Sequence, residues 1–587
     1  MEALRVERLD HLGLIASVIN DLGLVSLIDA RLKPDDQEAI TPGEAVKGMI
    51  LNGLGFANRP LSLSPQFFAN KPLDLLFRPD VKAEMLNRFK LGRTLDEVKT
   101  YGSDLRLSEL ALVVCQQEAI DQRLNHLDTT SFSLTGDYVP ESDQQAIAIT
   151  HGYSKDHRPD LKQAVLELMV SQDGGVPLMS KTWDGNASDS QIFQDRAKAL
   201  LSTFAQSPTP RYLIADSKLY SKDNAAQLKP LGFITRIPDT LTFVSQVIRQ
   251  ALREDTWQAL DDTTRYHRVA LCHYGMAQRW FVICSEAATQ RAEKSVSKAQ
   301  KHEFEAIDKQ LFHLQARRFE SQQSAQAALA ALAESWRYHH VASTELIEHK
   351  RYAGKGRPSV KTPIKASAWQ MQAKVRPNAE AIRQSKQHKG CFVLGTNIEA
   401  DGLKDEEVIA AYKAQSQVEG GFRFLKDPLF FVSSLFVKKP TRIQGLLMVM
   451  TLALLVYAVA QRRLRQELVR HKESLPNQIN QLTQRPTLRW VFQLLEGIHR
   501  VRVSVQGQMH DLIEGLNEVQ IKILRLFGQE RTSDSLRKKW TFGQPGQRAA
   551  SRRHVFEAHI NWLALILQAH RTQSFHHLGE EVAIRHR

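Results

Sequence analysis

Three carboxylates stand out because each sits where a bare charge is costly. Asp128 follows apolar residues in the run HLDTTSF, and Asp216 lies inside the apolar run YLIADSKLY. Both runs read as central strands, where a carboxylate needs a cation or a hydrogen-bonded partner. Glu419 lies in YKAQSQVEGGFRFLK, directly before a Gly pair. Glycine costs a helix interior about 1 kcal/mol per residue, so the pair answers to something other than helix stability, such as close backbone approach. On one continuous helix Tyr412, Glu419 and Lys426 share a face, and Gln415 and Arg423 join it one turn either side of Glu419. A polar face of this kind usually meets only solvent. Here FVLGTN before it and FLKDPLFF after it set the helix against a core. Two Asp and one Glu are hard oxygen donors suited to Mg²⁺ or Mn²⁺. Two such ions can clamp the attacking and leaving oxygens of an in-line phosphoryl displacement, with the cationic side chains of the helix holding the phosphodiester.

The elements that must position these residues follow from periodicity. Residues 1–120 read as a separate helical domain, with apolar residues at helical spacing (Leu12, Ile15, Ile19) and Thr41 capping a helix opened by Pro42. Over 121–239 strands alternate with helices, as an α/β core requires. Leu124–Leu134 is a strand, Lys162–Ser171 and Val176–Trp183 form a hairpin around Asp173-Gly174-Gly175, and Arg211–Tyr220 is a further strand. Residues 240–388 read as an insertion of strands, a helical hairpin and a basic linker; Lys350–Lys365 holds six basic residues and no acidic one. The core resumes over 389–470 with a strand (Gly390–Asn397), a helix (Asp405–Lys426) and an apolar helix. Residues 471–587 read as helical and basic.

Composition bounds the partner. The 587 residues carry 78 Lys plus Arg against 64 Asp plus Glu, a formal charge of +14, which suits a polyanion such as nucleic acid as well as an ordinary basic enzyme. Cys115, Cys272, Cys284 and Cys391 are far apart with no C-x-x-C, which speaks against a disulfide framework or a structural zinc site. The N-terminus, MEALRVERLD, has no apolar stretch of the secretory kind, and a cytoplasmic location fits best. Residues 443–460 pass a transmembrane screen by length and flanks. With basic residues on both sides and no second span, the expectation is a helix buried in protein, and no membrane partner.

These motifs resemble transposases of bacterial insertion sequences, the DDE type with a Y-x2-R-x3-E-x6-K signature. Here that signature stands as Tyr412-x2-Gln415-x3-Glu419-x6-Lys426, with Gln in place of Arg. The first Asp stands in HLDTTSFSLTG. GYSKDHRPDLKQ (152–163), the most specific match, WDGNASD (183–189) and YLIADS (212–217) also fit, and the resemblance runs in order over residues 1 to about 530. It implies an α/β, ribonuclease H-like core of mixed sheet, interrupted by a large insertion between Asp216 and Glu419 and flanked by all-helical N-terminal and C-terminal regions. It also implies strand cleavage and transfer at inverted-repeat DNA ends, with Asp128, Asp216 and Glu419 as catalytic metal ligands for Mg²⁺ (or Mn²⁺), two ions in all, in a synaptic homodimer on double-stranded DNA.

Other residues fall into place beside these. Residues 1–120 are expected to recognise the DNA end. Tyr412, Gln415, Arg423 and Lys426 are expected to contact DNA, as are Lys155, Arg158 and Lys162 in the basic loop. Lys355 and Arg357, in YAGKGRP, could enter a narrow minor groove or belong to a plain linker. His126, on the strand face of Asp128, is better read as a packing or hydrogen-bonding residue than as a ligand. Two alternatives use the same residues: a metal-dependent DNA nuclease on this core, and a catalytically inactive DNA-binding relative. The filled acidic positions weigh against the second.

Overall fold

The N-terminal periodicity resolves into the helices Leu12–Asp21, Leu24–Leu32, Pro42–Leu54, Arg88–Tyr101 and Ser103–Gln117, preceded by a strand, β1 (Leu4–Arg8). Pro42 opens its helix inside a capping box: Thr41 Oγ1 accepts from the Glu44 amide (3.1 Å) and Glu44 Oε2 from the Thr41 amide (3.0 Å). The computed structural model describes residues 4–57, 60–138, 146–205, 210–353, 360, 363–427, 429, 437–505, 508–514 and 516–528. They divide into two units, Met1–Leu219 with Ala410–Arg587, and Tyr220–Ile409.

In the first unit β2 (Leu124–Leu134), β3 (Lys162–Ser171) and β4 (Pro177–Trp183) form an antiparallel meander. The turn expected at Asp173-Gly174-Gly175 is there, with both glycines at positive φ (84° and 66°). β5 (Tyr212–Ala215) then lies parallel to β2, so the order is β4-β3-β2-β5 with β2 inside. This is the ribonuclease H-like arrangement of a mixed sheet.

The second unit begins earlier than the insertion expected at 240. Its strands β6 (Gly232–Arg236), β7 (Gln258–Asp261), β8 (Thr264–His273), β9 (Met276–Ser285) and, later, β12 (Cys391–Thr396) are antiparallel in the order β6-β12-β9-β8-β7. The expected helical hairpin is present as Glu286–Ala316 and Gln322–Ala333. What read as a basic linker is the distal part of a two-stranded ribbon, β10 (His339–Tyr352) with β11 (Ile364–Pro377). Lys350 and Arg351 end one strand and Lys365 begins the other, while Lys355 and Arg357 lie outside the described residues. The cysteines need a correction too. Cys284 and Cys391 are directly opposed on β9 and β12 with Cα atoms 4.3 Å apart, and they form a disulfide. Cross-strand register brings together what sequence distance separates.

Back in the first unit, the expected single helix 405–426 is two, Asp405–Lys413 and Ser416–Leu425, broken at Ala414–Gln415. The apolar helix Pro440–Arg470 is buried over 94% of its most apolar window, packed against the helices Leu12–Asp21, Pro42–Leu54, Arg88–Tyr101 and Ser103–Gln117 and against β4. Contact is close: a Cβ on Gly445 would come within 2.7 Å of the Leu95 carbonyl oxygen. The N-terminal helices therefore share a core with this helix and do not stand apart. Nor is the stretch after 470 helical throughout. Between the helices Leu488–Leu494 and Glu518–Gly528, and beside the short pair β13 (Leu475–Pro476) and β14 (Leu482–Thr483), lie β15 (His499–Val505) and β16 (Gln508–Glu514). They form a sheet with the N-terminal strand in the order β1-β15-β16.

Arg500 locks that sheet. It is 1% exposed, donates to Glu7 Oε2 (2.8 Å) on β1 and to Asp74 Oδ2 (2.8 Å), while Arg502 pairs with Asp511 (2.8 Å) on β16. Removing one partner of a buried pair strands the other charge. Arg500→Ala should therefore lower stability by about 3–5 kcal/mol, read as a large fall in the thermal midpoint of the full chain. A midpoint within a degree of the parent would mean that the network adds nothing.

Candidate active site

The site is built where the parallel pairing of β2 with β5 ends. Their last paired residues are Leu127 and Ala215, so Asp128 and Asp216 are each one step beyond, on neighbouring strands. The helix Ser416–Leu425 supplies Glu419. Its Val418, Gly421, Phe422 and Leu425 are buried, which turns Glu419 and Arg423 outward. The Gly pair divides its work. A Cβ on Gly421 would sit 3.1 Å from Leu454 and 3.4 Å from Leu168, whereas one on Gly420 would meet nothing within 4 Å. Gly421 lets the helix lie close on β3 and the buried helix; Gly420 borders open space beside Glu419.

Asp128, Asp216 and Glu419 all line one open cavity together with Lys155, Lys218, Arg423 and Lys426. Burial raises the Asp128 carboxyl to about 6, against the pull of Lys155, whose Nζ is 3.8 Å from Oδ1, and of the Thr129 amide. Burial raises Asp216 as well, although the Lys218 amide donates to its Oδ1 (2.9 Å). Two desolvated, hard-oxygen carboxylates on adjacent strands are the chemistry a divalent cation answers. As placed, no three His, Cys, Asp or Glu side chains among the described residues surround a single ion position.

The remaining expected site residues divide by where they point. Lys426 lines the cavity and donates to Asp156 Oδ1 (2.6 Å). Gln415 faces inward: its Oε1 accepts from His126 Nδ1 (3.0 Å) and its Nε2 donates to the Leu127 carbonyl (3.2 Å). Placed at the helix break, it fastens the Glu419 helix to β2 and is not available to DNA. His126 is buried and its pKa lowered by that burial, with Gln172 on its other nitrogen (3.2 Å), so it is a structural residue. Tyr412 is half-buried on the preceding helix and does not line the cavity. Lys162 begins β3 away from the cavity, and Arg158 is exposed with a bidentate pair to Asp160 (2.8 and 2.7 Å). Lys155 turns inward, donating to the Thr129 carbonyl and hydroxyl (2.6 Å each).

The two most specific sequence stretches meet in space. Gly152, Gly185 and Gln163 bring three backbones together, since a Cβ on Gly185 would lie 2.1 Å from the Gln163 carbonyl oxygen and one on Gly152 2.1 Å from that of Gly185. The Gln163 amide ties them by donating to Gly185 O (2.6 Å) and Tyr153 O (3.2 Å). This junction holds the Lys155 loop over β2. Beside it stands Asp189, which sequence reasoning passed over. It follows Ser188 at the start of the helix Asp189–Ala205, where acids are commonplace, and it closes the stretch WDGNASD, which stands out as a whole and not for this residue. Burial opposes its charge, yet Lys218, Thr129 and Lys155 hold its carboxyl below the usual range.

The raised pKa of Asp128 has a defined sign in stability. Ionised Asp128 costs the fold stability in full above pH about 6, and the cost disappears below its unfolded value of 3.8. Asp128→Asn keeps an acceptor for the Thr129 amide. It should stabilise the metal-free protein by about 1–3 kcal/mol at pH 8, with the gain fading toward pH 4. Thermal midpoints of parent and variant at both pH values test this; a difference independent of pH would refute it.

A search of curated proteins gave no match. Among solved structures the chain is similar to the piggyBac transposase in the cryo-EM structure of its synaptic complex with hairpin DNA. The identity is 9% and the TM-score 0.32, covering 82% of this chain and 79% of that one. Residues 4–112 match a family described as a domain of unknown function (DUF4277). Residues 126–456, more than half the chain and a span that holds Asp128, Asp216 and Glu419, match the family described as transposase DDE domain. The chain belongs to the DDE transposases, and it is an enzyme of that class.

Proposed function

We propose that this transposase cuts and joins strands at the inverted-repeat ends of an insertion sequence, using Asp128, Asp216 and Glu419 to hold Mg²⁺ or Mn²⁺. The observation that carries the proposal is a single open cavity lined by these three carboxylates and by Lys218, Arg423 and Lys426. Bound divalent ions would supply an activated oxygen nucleophile and a stabilised leaving 3′ oxygen. The residues of the chain do the rest. Arg423 and Lys426 stand on the outward side of the Glu419 helix, where they would neutralise phosphates and set the register of the duplex. Gln415 keeps that helix against β2, and Gly420 leaves room for a backbone beside Glu419. The N-terminal helices would recognise the end, while Lys350, Arg351 and Lys365 on the ribbon β10–β11 would add affinity with little sequence preference. Two copies on paired ends, in the cytoplasm, complete the reading.

Glu419→Gln keeps size and one acceptor but removes an anion. It should abolish Mg²⁺-dependent cleavage of an end duplex while leaving its gel shift nearly unchanged. Lys426→Ala should lower both binding and rate, by about tenfold, because it removes a cation from the phosphate path. Cleavage by Glu419→Gln at the parent rate would show that Glu419 is not the third carboxylate. Glu406 and Glu407, the other acids near the start of this region, are already engaged, by the Tyr266 hydroxyl (2.8 Å) and the Lys404 amide (2.8 Å). The N-terminal helices share a core with Pro440–Arg470, so end recognition is better tested by exchanging their exposed residues than by deletion.

A further inference from the structure

Asp189 stands among the catalytic residues without belonging to the set that would hold metal. Its helix is capped by another residue: Ser188 Oγ accepts from the Gln191 amide (3.3 Å). The Asp189 carboxylate is 9% exposed and turns to three side chains. Oδ1 accepts from the Thr129 hydroxyl (2.5 Å), while Oδ2 lies 3.3 Å from Lys155 Nζ and accepts from Lys218 Nζ. Lys155 Nζ is thus closer to Asp189 than to Asp128, 3.3 against 3.8 Å. Lys155 Nζ also donates two hydrogen bonds to Thr129. Lys218 shows the same division. Its backbone amide serves Asp216, and its ammonium serves Asp189.

We infer that Asp189 is a positioning residue that competes with Asp128 and Asp216 for Lys155 and Lys218, and so keeps the site anionic enough to take divalent ions. The inference rests on the metal-dependent reading above. The charge count gives the reason. Asp128, Asp216 and Glu419 carry three negative charges, and Lys155 and Lys218 bring two positive ones beside them; Arg423 and Lys426 line the same cavity, Lys426 paired with Asp156. Asp189 adds a negative charge that is not one of the three and supplies a partner for both lysines that is not a metal position. Without it both ammonium groups would be free to pair more closely with the carboxylates that must receive the ions. A unit charge about 6 Å from a divalent ion changes affinity by about tenfold, even at the dielectric constant of water.

The test is Mn²⁺ titration of the full chain, followed by the electron paramagnetic resonance signal of free Mn²⁺. Parent, Asp189→Asn, Asp189→Asn with Lys218→Met, and Asp128→Asn would be compared. Asp189→Asn should bind Mn²⁺ about tenfold more weakly, and adding Lys218→Met should recover most of the loss by restoring the charge balance. A merely structural role for Asp189 predicts no such rescue. Parent-like affinity in Asp189→Asn, or a loss that Lys218→Met does not recover, overturns the inference. If the parent binds Mn²⁺ and Asp128→Asn does not, the metal reading stands whichever way Asp189 falls. If the parent shows no saturable Mn²⁺ binding, both fall together.

Discussion

Two carboxylates side by side where the parallel pairing of β2 and β5 ends, partly withdrawn from water, set the terms for the structure around them. Desolvation and mutual repulsion both work against their ionised forms. The fold answers with cations brought from elsewhere in the chain. Lys155 arrives on a loop tied down by Gly152, Gln163 and Gly185, and Lys218 stands two residues after Asp216. Both ammonium groups also pair with Asp189. Ionised Asp128 is kept at a cost in stability.

Holding such a site requires a stiff support, and the helix Pro440–Arg470 provides it. A helix that is apolar all round must be buried all round. Here its wall is made by the N-terminal helices on one part and by β4 and the Glu419 helix on others. Its ends are held by ion pairs: Arg442 with Asp96 (2.6 Å) at one end, Arg462 with Asp173 (2.7 Å) and Arg463 with Glu118 (2.6 Å) toward the other. Arg462 grips the β3–β4 turn, so the turn that closes the catalytic meander is fixed to the same post that supports Glu419. Gln415 and Gly421 complete the connection at the helix itself.

Asp128 and Asp216 stood out in the sequence because charge in an apolar run is rare and has few explanations, and Glu419 through its helix face and the Gly pair after it; the three line one cavity. The β3–β4 hairpin was legible from its glycines, the capped helix at Thr41 from its N-terminal residues, and the burial of 443–460 from its flanks. Each of these signals is local, carried by a few neighbours whose side-chain chemistry or backbone freedom admits few conformations. The single-face argument for Tyr412, Gln415, Glu419 and Lys426 assumed an unbroken helix. The break at Ala414–Gln415 rotates Gln415 into the core and keeps Tyr412 out of the cavity, while Glu419 and Lys426 remain where spacing put them.

The sequence by itself singled out three carboxylates that line one cavity, the alternation of strands and helices around them, and the excess of positive charge. Only the tertiary structure decided which partners those charges have. Lys155, expected to contact DNA from a basic loop, turns inward to Thr129 and Asp189; Asp189, at the end of WDGNASD, pairs with two lysines. Cys284 and Cys391 are bonded, and β1 joins β15 from the far end of the chain. All of these are contacts between residues remote in sequence. Such contacts arise from register and packing among elements that already exist, and a charge or thiol carries no local sign of the partner that packing will bring to it.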